Sequence, residues 1–324
     1  MPATATVPIA SDRQAALGRS WRRFSLRSLL VATTLFAVVL GTFMVRLRTQ
    51  QEAVAVIENL GGSVTYESNW LARVLPASIQ RPISQHALAD VVAVHLKYRT
   101  IDRRMTRLTA EELTAAVDAI SRLPHVTQLR LYHLRLTDAD IARLAPLNDQ
   151  IEELTIQDLV PGGWRGTNLE PLAGFRELQS LSVLLWNPDR AIDSEPLIGL
   201  PKLTSLTIGQ GYLHEEVFRD ISQMESLDRL VLSACTFDGE HLRHLQRLPH
   251  LKSLGLRNIH AKVEYTSHRV DEQGNLQPHA EPSIRFLPTG DLPMPLLNAP
   301  LRDHYQKWLK KVLPNVNVAQ YYMS

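Results

Sequence analysis

The chain holds one cysteine, Cys235, in 324 residues, which excludes an internal disulfide and leaves the redox compartment open. Its formal net charge is only +2, so no strong field announces a polyanionic or polycationic partner. It also lacks a phosphate loop, a dinucleotide fingerprint and a His-Glu-x-x-His helix, which removes the common nucleotide and zinc-hydrolase signatures. What is there is ordinary globular composition, 44% hydrophobic and 21% charged, in a chain long enough to bury a large core.

One stretch departs from that average. Ser28 to Val45 is a run of 18 uncharged, mostly apolar residues. As a helix it would reach about 27 Å, enough for a bilayer core. It has no polar face, as a buried core helix would. Arg13, Arg19, Arg22, Arg23 and Arg27 precede it, against Asp12 alone. Arg46 and Arg48 follow directly, where a cleaved leader would show small residues; Ala53-Val54-Ala55 lies beyond them. The expectation is an uncleaved single-pass anchor in the cytoplasmic (inner) membrane, with the N-terminus in the cytoplasm and the remainder outside. Residues 1–27 carry +4, so the total of +2 leaves about −2 for that remainder, a poor nucleic-acid binder.

The remainder is dominated by a repeat. The phrase apolar-x-x-apolar-x-apolar begins at Val126, Ile151, Leu178, Leu203, Leu227 and Leu251, with gaps of 25, 27, 25, 24 and 24 residues. A period in this range predicts one strand and one short helix per unit, stacked as a solenoid. Val91–Val94–Leu96 is an earlier, imperfect copy. The longer gap after it holds an amphipathic helix with Leu113, Val117, Ile120 and Leu123 on one face, opened by Thr109 and Glu112 as a capping box. Ile141/Leu144/Leu147, Leu169/Leu172/Phe175, Val217/Ile221/Met224 and Leu242/Leu245/Leu248 predict the returning helices. Upstream, residues 50–60 predict a helix ended by Gly61-Gly62, then a strand over 63–66, with Trp70, Leu71, Val74 and Leu75 packed beneath.

The phrase LxxLxL at these spacings resembles the leucine-rich-repeat superfamily, and Leu136-Thr137-Asp138-Ala139-Asp140-Ile141-x-x-Leu144 is similar to its bacterial LTDxxLxxL variety. The resemblance covers roughly 91–256. It implies an α/β fold, parallel strands on a concave face and helices on a convex one, in a bacterial single-pass membrane protein that binds other proteins. The sequence departs from the family where Asn or Cys usually follows the strand: Leu134, Leu159, Trp186, Gly211, Cys235 and Ile259 fill that column. The turn bonds must therefore close differently, and insertions at 160–164 and 187–195 also point to irregularity.

The period breaks after Leu256. A hairpin is expected over 262–286 around Asp271–Asn275, then a proline-rich connection, a helix over 301–312 and a last strand over 313–318, with the insertion laid across the solenoid end. The domain layout expected is a cytoplasmic basic tail (1–27), a transmembrane helix (28–45), an N-terminal cap (46–90), leucine-rich repeats (91–260), and insertion with C-terminal cap (261–324).

Nothing in this layout calls for chemistry. His241 and His244 are three apart with His250 nearby, but no carboxylate or cysteine completes a metal set. Cys235 sits in a buried turn column, where a thiol is inert. No catalytic residue, cofactor, metal or small-molecule substrate is assigned. Side chains between and just after the strand leucines point out of the core. Those of the first copies are rich in hot-spot types, and Tyr98, Arg130, Tyr132, His133, Gln157 and Asp158 are the expected partner-binding residues. Further on, Thr207, Gly209, Gln210, Val231, Ser233 and Gly255 read as small and bland. The expected function is a membrane-anchored recognition or scaffold protein with a protein partner. The alternatives are an envelope protein that self-associates through Trp164 and Trp186, and an enzyme subunit with its site in 262–300.

Overall fold

In the computed structural model of the chain, the described residues are 26–69, 89–97, 99–101, 104–106, 108–158, 169–187, 192–264, 269–270, 276–277, 283–288 and 299–321. Tyr98, the 70–75 cluster, the 160–164 insertion and the 271–275 turn lie outside them. The chain divides into two units, Met1–Arg48 and Thr49–Ser324.

Helix α1 (Leu26–Asn59) supplies the described part of the first unit. It is long and apolar enough to cross a membrane, and residues 26–42, including Leu29, Leu30, Leu35 and Phe36, are exposed. The sequence predicts two helices here; one is observed, because Arg46-Leu47-Arg48-Thr49-Gln50 contains neither glycine nor proline to stop it.

In the second unit the last turns of α1 bury Ala53, Val54 and Ile57. Two glycines end the helix. Gly61 takes φ +80°, which costs a residue without Cβ nothing. Its N–H donates to Glu58 O and that of Gly62 to Ile57 O, both at 2.9 Å, so two orphan carbonyls are satisfied. A Cβ at Gly62 would sit 2.8 Å from Ile57 Cγ2, so the next strand approaches closely.

That strand, β1 (Ser63–Ser68), pairs antiparallel with β2 (Ala89–Lys97) and opens a nine-stranded sheet. Strands β3 (Arg99–Ile101) and β4 (Arg104–Thr106) form a separate small hairpin. The main sheet continues in parallel through β5 (Gln128–Tyr132), β6 (Glu153–Asp158), β7 (Ser180–Asn187), β8 (Ser205–Gly211), β9 (Arg229–Ser233), β11 (Ser253–Arg257) and β16 (Asn317–Tyr321). The pairing register reproduces the repeated phrase copy by copy. Val94, Leu129, Leu154, Leu181, Leu206, Leu230, Leu254 and Val318 form one inward row; Leu96, Leu131, Ile156, Val183, Ile208, Leu232 and Leu256 form the next. This is an α/β solenoid, and both rows belong to a single apolar core.

The returning segments complete that core. Helix α2 (Ala110–Ser121) carries the expected capping box: Glu112 N donates to Thr109 Oγ1 at 3.1 Å and Thr109 N to Glu112 Oε2 at 2.8 Å. Helix α3 (Asp138–Ala142) repeats the device with Thr137 and Asp140. Helix α4 (Glu215–Ile221) buries Val217, Phe218 and Ile221. The returns expected over 169–175 and 242–248 are 3₁₀, at Glu170–Leu172 and Gly239–Arg247, and further 3₁₀ turns lie at Ala145–Leu147 and Glu195–Leu197. The three short ones carry Pro146, Pro171 and Pro196 as second residue, whose fixed φ and missing N–H suit a first turn. A return of so few residues leaves room only for the tighter helix.

In the unusual turn column, Leu134, Cys235 and Ile259 are buried rather than polar, all at or below 1% exposure. The turns close through the residue before it. His133, Ala234 and Asn258 adopt φ of +56°, +50° and +53°. The His133 N–H donates to Gln157 O at 2.6 Å and that of Ala234 to Arg257 O at 2.8 Å, each on the next strand. Cys235 adds a thiol donor to Ser233 O at 3.2 Å. Gln150 Nε2 ties its unit to the one before it, through Leu123 O at 2.7 Å and Val126 O at 2.9 Å.

Beyond Leu256 the expected hairpin is present, as β12 (Ile259–Glu264) against β15 (Ser283–Pro288), with β13 (Arg269–Val270) against β14 (Leu276–Gln277) nearer its tip. Its place differs from expectation. Strand β15 also pairs with β10 (Phe237–Asp238), the turn segment after β9, so the insertion extends the turn side of the solenoid. The end of the main sheet is β16, preceded by α5 (Ala299–Val312).

Candidate functional site

Alternation along each strand sends every other side chain away from the core, and the register lines these into three outer rows. The first reads Gln128, Glu153, Ser180, Ser205, Arg229 and Ser253 from β5 to β11. The second runs from β2: His95, Arg130, Thr155, Ser182, Thr207, Val231 and Gly255. The third reads Lys97, Tyr132, Gln157, Leu184, Gly209, Ser233 and Arg257.

Arg130, Tyr132 and Gln157 are thus brought together on adjacent strands, each half-buried. His95 joins them, its ring edge-on to Tyr132 at 6.4 Å between centroids. Partial burial, then the neighbouring Arg130 charge, holds the His95 imidazolium below the usual histidine range. The pair of rings therefore meets solvent as a neutral aromatic surface at pH 7, with Arg130 and Lys97 supplying the charge.

Two expected residues sit elsewhere. His133 is the left-handed turn residue, half-buried just past the end of β5, so its backbone has a structural task. Asp158 is 2% exposed and is corrected to an inward position. Strand β6 extends through it, and its parity matches Leu154 and Ile156, which places it on the core side. Tyr98 lies outside the described residues.

The later strands are less bland than their sequence implies. Arg229 and Arg257 are exposed on the outer rows. Arg229 precedes Leu230 and Arg257 follows Leu256, in the row of Lys97 and Tyr132; carrying the period-2 count along every strand finds both. On the neighbouring strands the floor is uncharged and flat. A Cβ at Gly209 would lie 2.5 Å from Leu184 Cδ2 and 2.7 Å from Ser233 O, and one at Gly255 3.2 Å from Val231 Cγ2. Leu184 and Val231 lean over glycines on the neighbouring strands, and both remain partly exposed.

The helix side offers less. His244 Nε2 lies 3.1 Å from Glu215 Oε1, and this hydrogen bond, helped by Arg219, holds the Glu215 carboxyl below its usual range. The His241 ring stacks on Phe218 at 5.6 Å. Among the described residues, no group of three or more His, Cys, Asp or Glu is placed to hold a metal ion. A groove of about 230 Å³ between α5 and β16 is lined by Gln306, Leu309, Lys310, Leu313, Val316, Asn317 and Val318, none of them from the 262–300 insertion.

No family model matches the chain, and no curated protein matches it. Among solved structures, it is similar to an internalin C2 of Listeria monocytogenes strain 4b F2365, at 18% identity over 59% of this chain and 84% of that one, with a TM-score of 0.30. It is also similar to an internalin (inlF) of the same strain, at 15% identity over 61% and 63%, TM-score 0.35. A third is a TLR13–ssRNA13 complex, at 15% identity over 55% and 27%, TM-score 0.36. The matched part thus spans less than two thirds of the second and third chains. At such scores the likeness adds nothing to the strand register, on which the solenoid assignment rests.

Proposed function

We propose that this protein is a membrane-anchored recognition protein that binds another protein on the outer face of its repeat sheet. In this reading α1 crosses the cytoplasmic membrane once through 28–45, with the arginine-rich N-terminus inside and the repeats outside. The uncharged run and the five arginines before it support the anchor and its direction. No catalytic group, cofactor or metal enters the reading.

The observation that carries it is the cluster of Arg130, Tyr132, Gln157, His95 and Lys97 on one sheet face. Among the described residues, Arg130 and Lys97 have no carboxylate within ion-pair distance, and Tyr132 and Gln157 form no side-chain hydrogen bond. Half-buried tyrosine and arginine held on a rigid sheet are the types that dominate binding energy when an interface covers them. Anchoring would hold that face in the membrane plane and raise its effective concentration toward envelope partners.

A photo-crosslinking residue at Tyr132, compared in cells with one at the exposed Arg243 on the helix side, tests the reading. The expected result is a discrete protein adduct from position 132 alone. Equal capture from both positions, or capture from 243 only, contradicts it. Protease added to intact spheroplasts should digest the repeat unit; protection there reverses the topology.

A further inference from the structure

The outer rows from β2 to β11 carry Lys97, Arg130, Arg229 and Arg257 against a single carboxylate, Glu153. That face is therefore +3, with His95 neutral. The unit around it has the opposite sign. Residues 1–48 hold seven arginines and one aspartate, +6, so the total of +2 leaves −4 for residues 49–324. Among the described residues, none of the four face cations has a carboxylate within ion-pair distance. A solvated sheet with no ligand has no reason to gather like charges on one face of an acidic unit, since they repel.

The cations are also placed in two groups. Lys97 and Arg130 stand on adjacent strands β2 and β5; Arg229 and Arg257 stand on adjacent strands β9 and β11 but at opposite ends of them, since Arg229 pairs with Ser253 and Arg257 with Ser233. Four strand steps separate Arg130 from Arg229, about 19 Å at about 4.8 Å per step, and six separate Lys97 from Arg257, about 29 Å. The two strands at the centre, β7 and β8, present Ser180, Ser182, Ser205, Thr207 and Leu184 with no charge, and Leu184 covers Gly209.

We infer that the partner segment is an extended acidic peptide laid across the strands, with carboxylates toward both ends and an apolar side chain at its centre. The inference rests on the proposed recognition by this face. At about 3.3 Å per extended residue, nine residues cover about 29 Å. The end carboxylates meet the cations at the two margins, accepting hydrogen bonds that the guanidinium groups donate. The central side chain rests on Leu184 and Val231. A single-stranded nucleic acid fits less well, because its evenly spaced phosphates would cross the uncharged floor without cationic partners.

The test uses the full-length protein in lipid nanodiscs and a displayed library of random nonapeptides, panned on wild type and on the Arg130→Glu/Arg257→Glu variant, each checked for unchanged thermal stability. Peptides recovered on wild type should be rich in Asp and Glu at both ends. In fluorescein anisotropy they should weaken about five- to tenfold per reversed cation at low salt, a difference that shrinks as salt rises. Arg130→Gln/Arg257→Gln should weaken them less, by about threefold, and Lys-ended peptides should bind the reversed variant. Neutral or basic peptides that still crosslink to a probe at Tyr132 would overturn the acidic assignment and leave the face reading standing. Recovered peptides that miss that probe, or no recovered peptide, would count against both. Tighter binding of a uridine 12-mer than of the acidic peptides would also overturn the inference.

Discussion

Strands β2 to β6 and strands β7 to β11 rest on the same two inward rows of aliphatic side chains, yet their outer faces are unlike. The first group offers Lys97, His95, Arg130, Tyr132 and Gln157; the second offers serines, threonine and buried glycines, with Leu184 and Val231 lying flat and cations only at its far margin. Backbone ladder and core are common to both. The difference shows that the core and the outer face are written on alternate residues of the same strands, so each can change without the other.

The sharpest way to break that separation is to cross it. Leu206→Ala removes a fully buried side chain from the inward row and should cost about 2–5 kcal/mol, whereas Thr207→Ala beside it should stay within about 0.5 kcal/mol. Urea unfolding of the two variants measures both, and a small cost at Leu206 would break the register. Next comes the crowded floor. Gly209→Ala forces a methyl group against Ser233 O and should cost about 1–3 kcal/mol, read by the same titration.

A helix-side change should fall between core and face. Thr109→Ala deletes one half of the capping box and should cost about 1 kcal/mol, with amide exchange accelerated in the first turn of α2. The smallest effect belongs to the face itself. Because burial and Arg130 lower the His95 pKa, the stability tied to neutral His95 is complete above the unfolded value of about 6.5 and is lost as pH falls through the folded value. Arg130→Ala should raise that pKa part of the way, leaving the larger contribution of burial, and an imidazole NMR titration reads it directly.

Most of the framework was legible from residue spacing alone. The six phrases and the early copy at Val91 reappear as paired strands, because period-2 burial and a fixed repeat length leave few alternatives, while the last strand runs over Asn317–Tyr321 rather than 313–318. The capping box at Thr109 was equally legible, being a local device. The continuity of α1 was not, since a helix runs on wherever nothing stops it. Neither was the 3₁₀ character of the returns, which depends on how many residues the loops consume. Asp158 was misplaced by one residue of strand length, enough to turn a side chain from face to core. The cations Arg229 and Arg257 were overlooked although both fall on the period-2 face count, Arg229 just before Leu230 and Arg257 just after Leu256 in the row of Lys97 and Tyr132. The pairing of β15 with β10 joins segments about fifty residues apart, and no local pattern announces it.

The central claim is that the outer rows bind a partner and the inward rows do not depend on them. Partner capture by a crosslinking probe at Tyr132, measured in cells with and without Arg130→Glu, tests this most directly. Capture should fall at least about fivefold while the thermal midpoint stays within about 2 °C of wild type. Unchanged capture in the reversed variant would contradict the account.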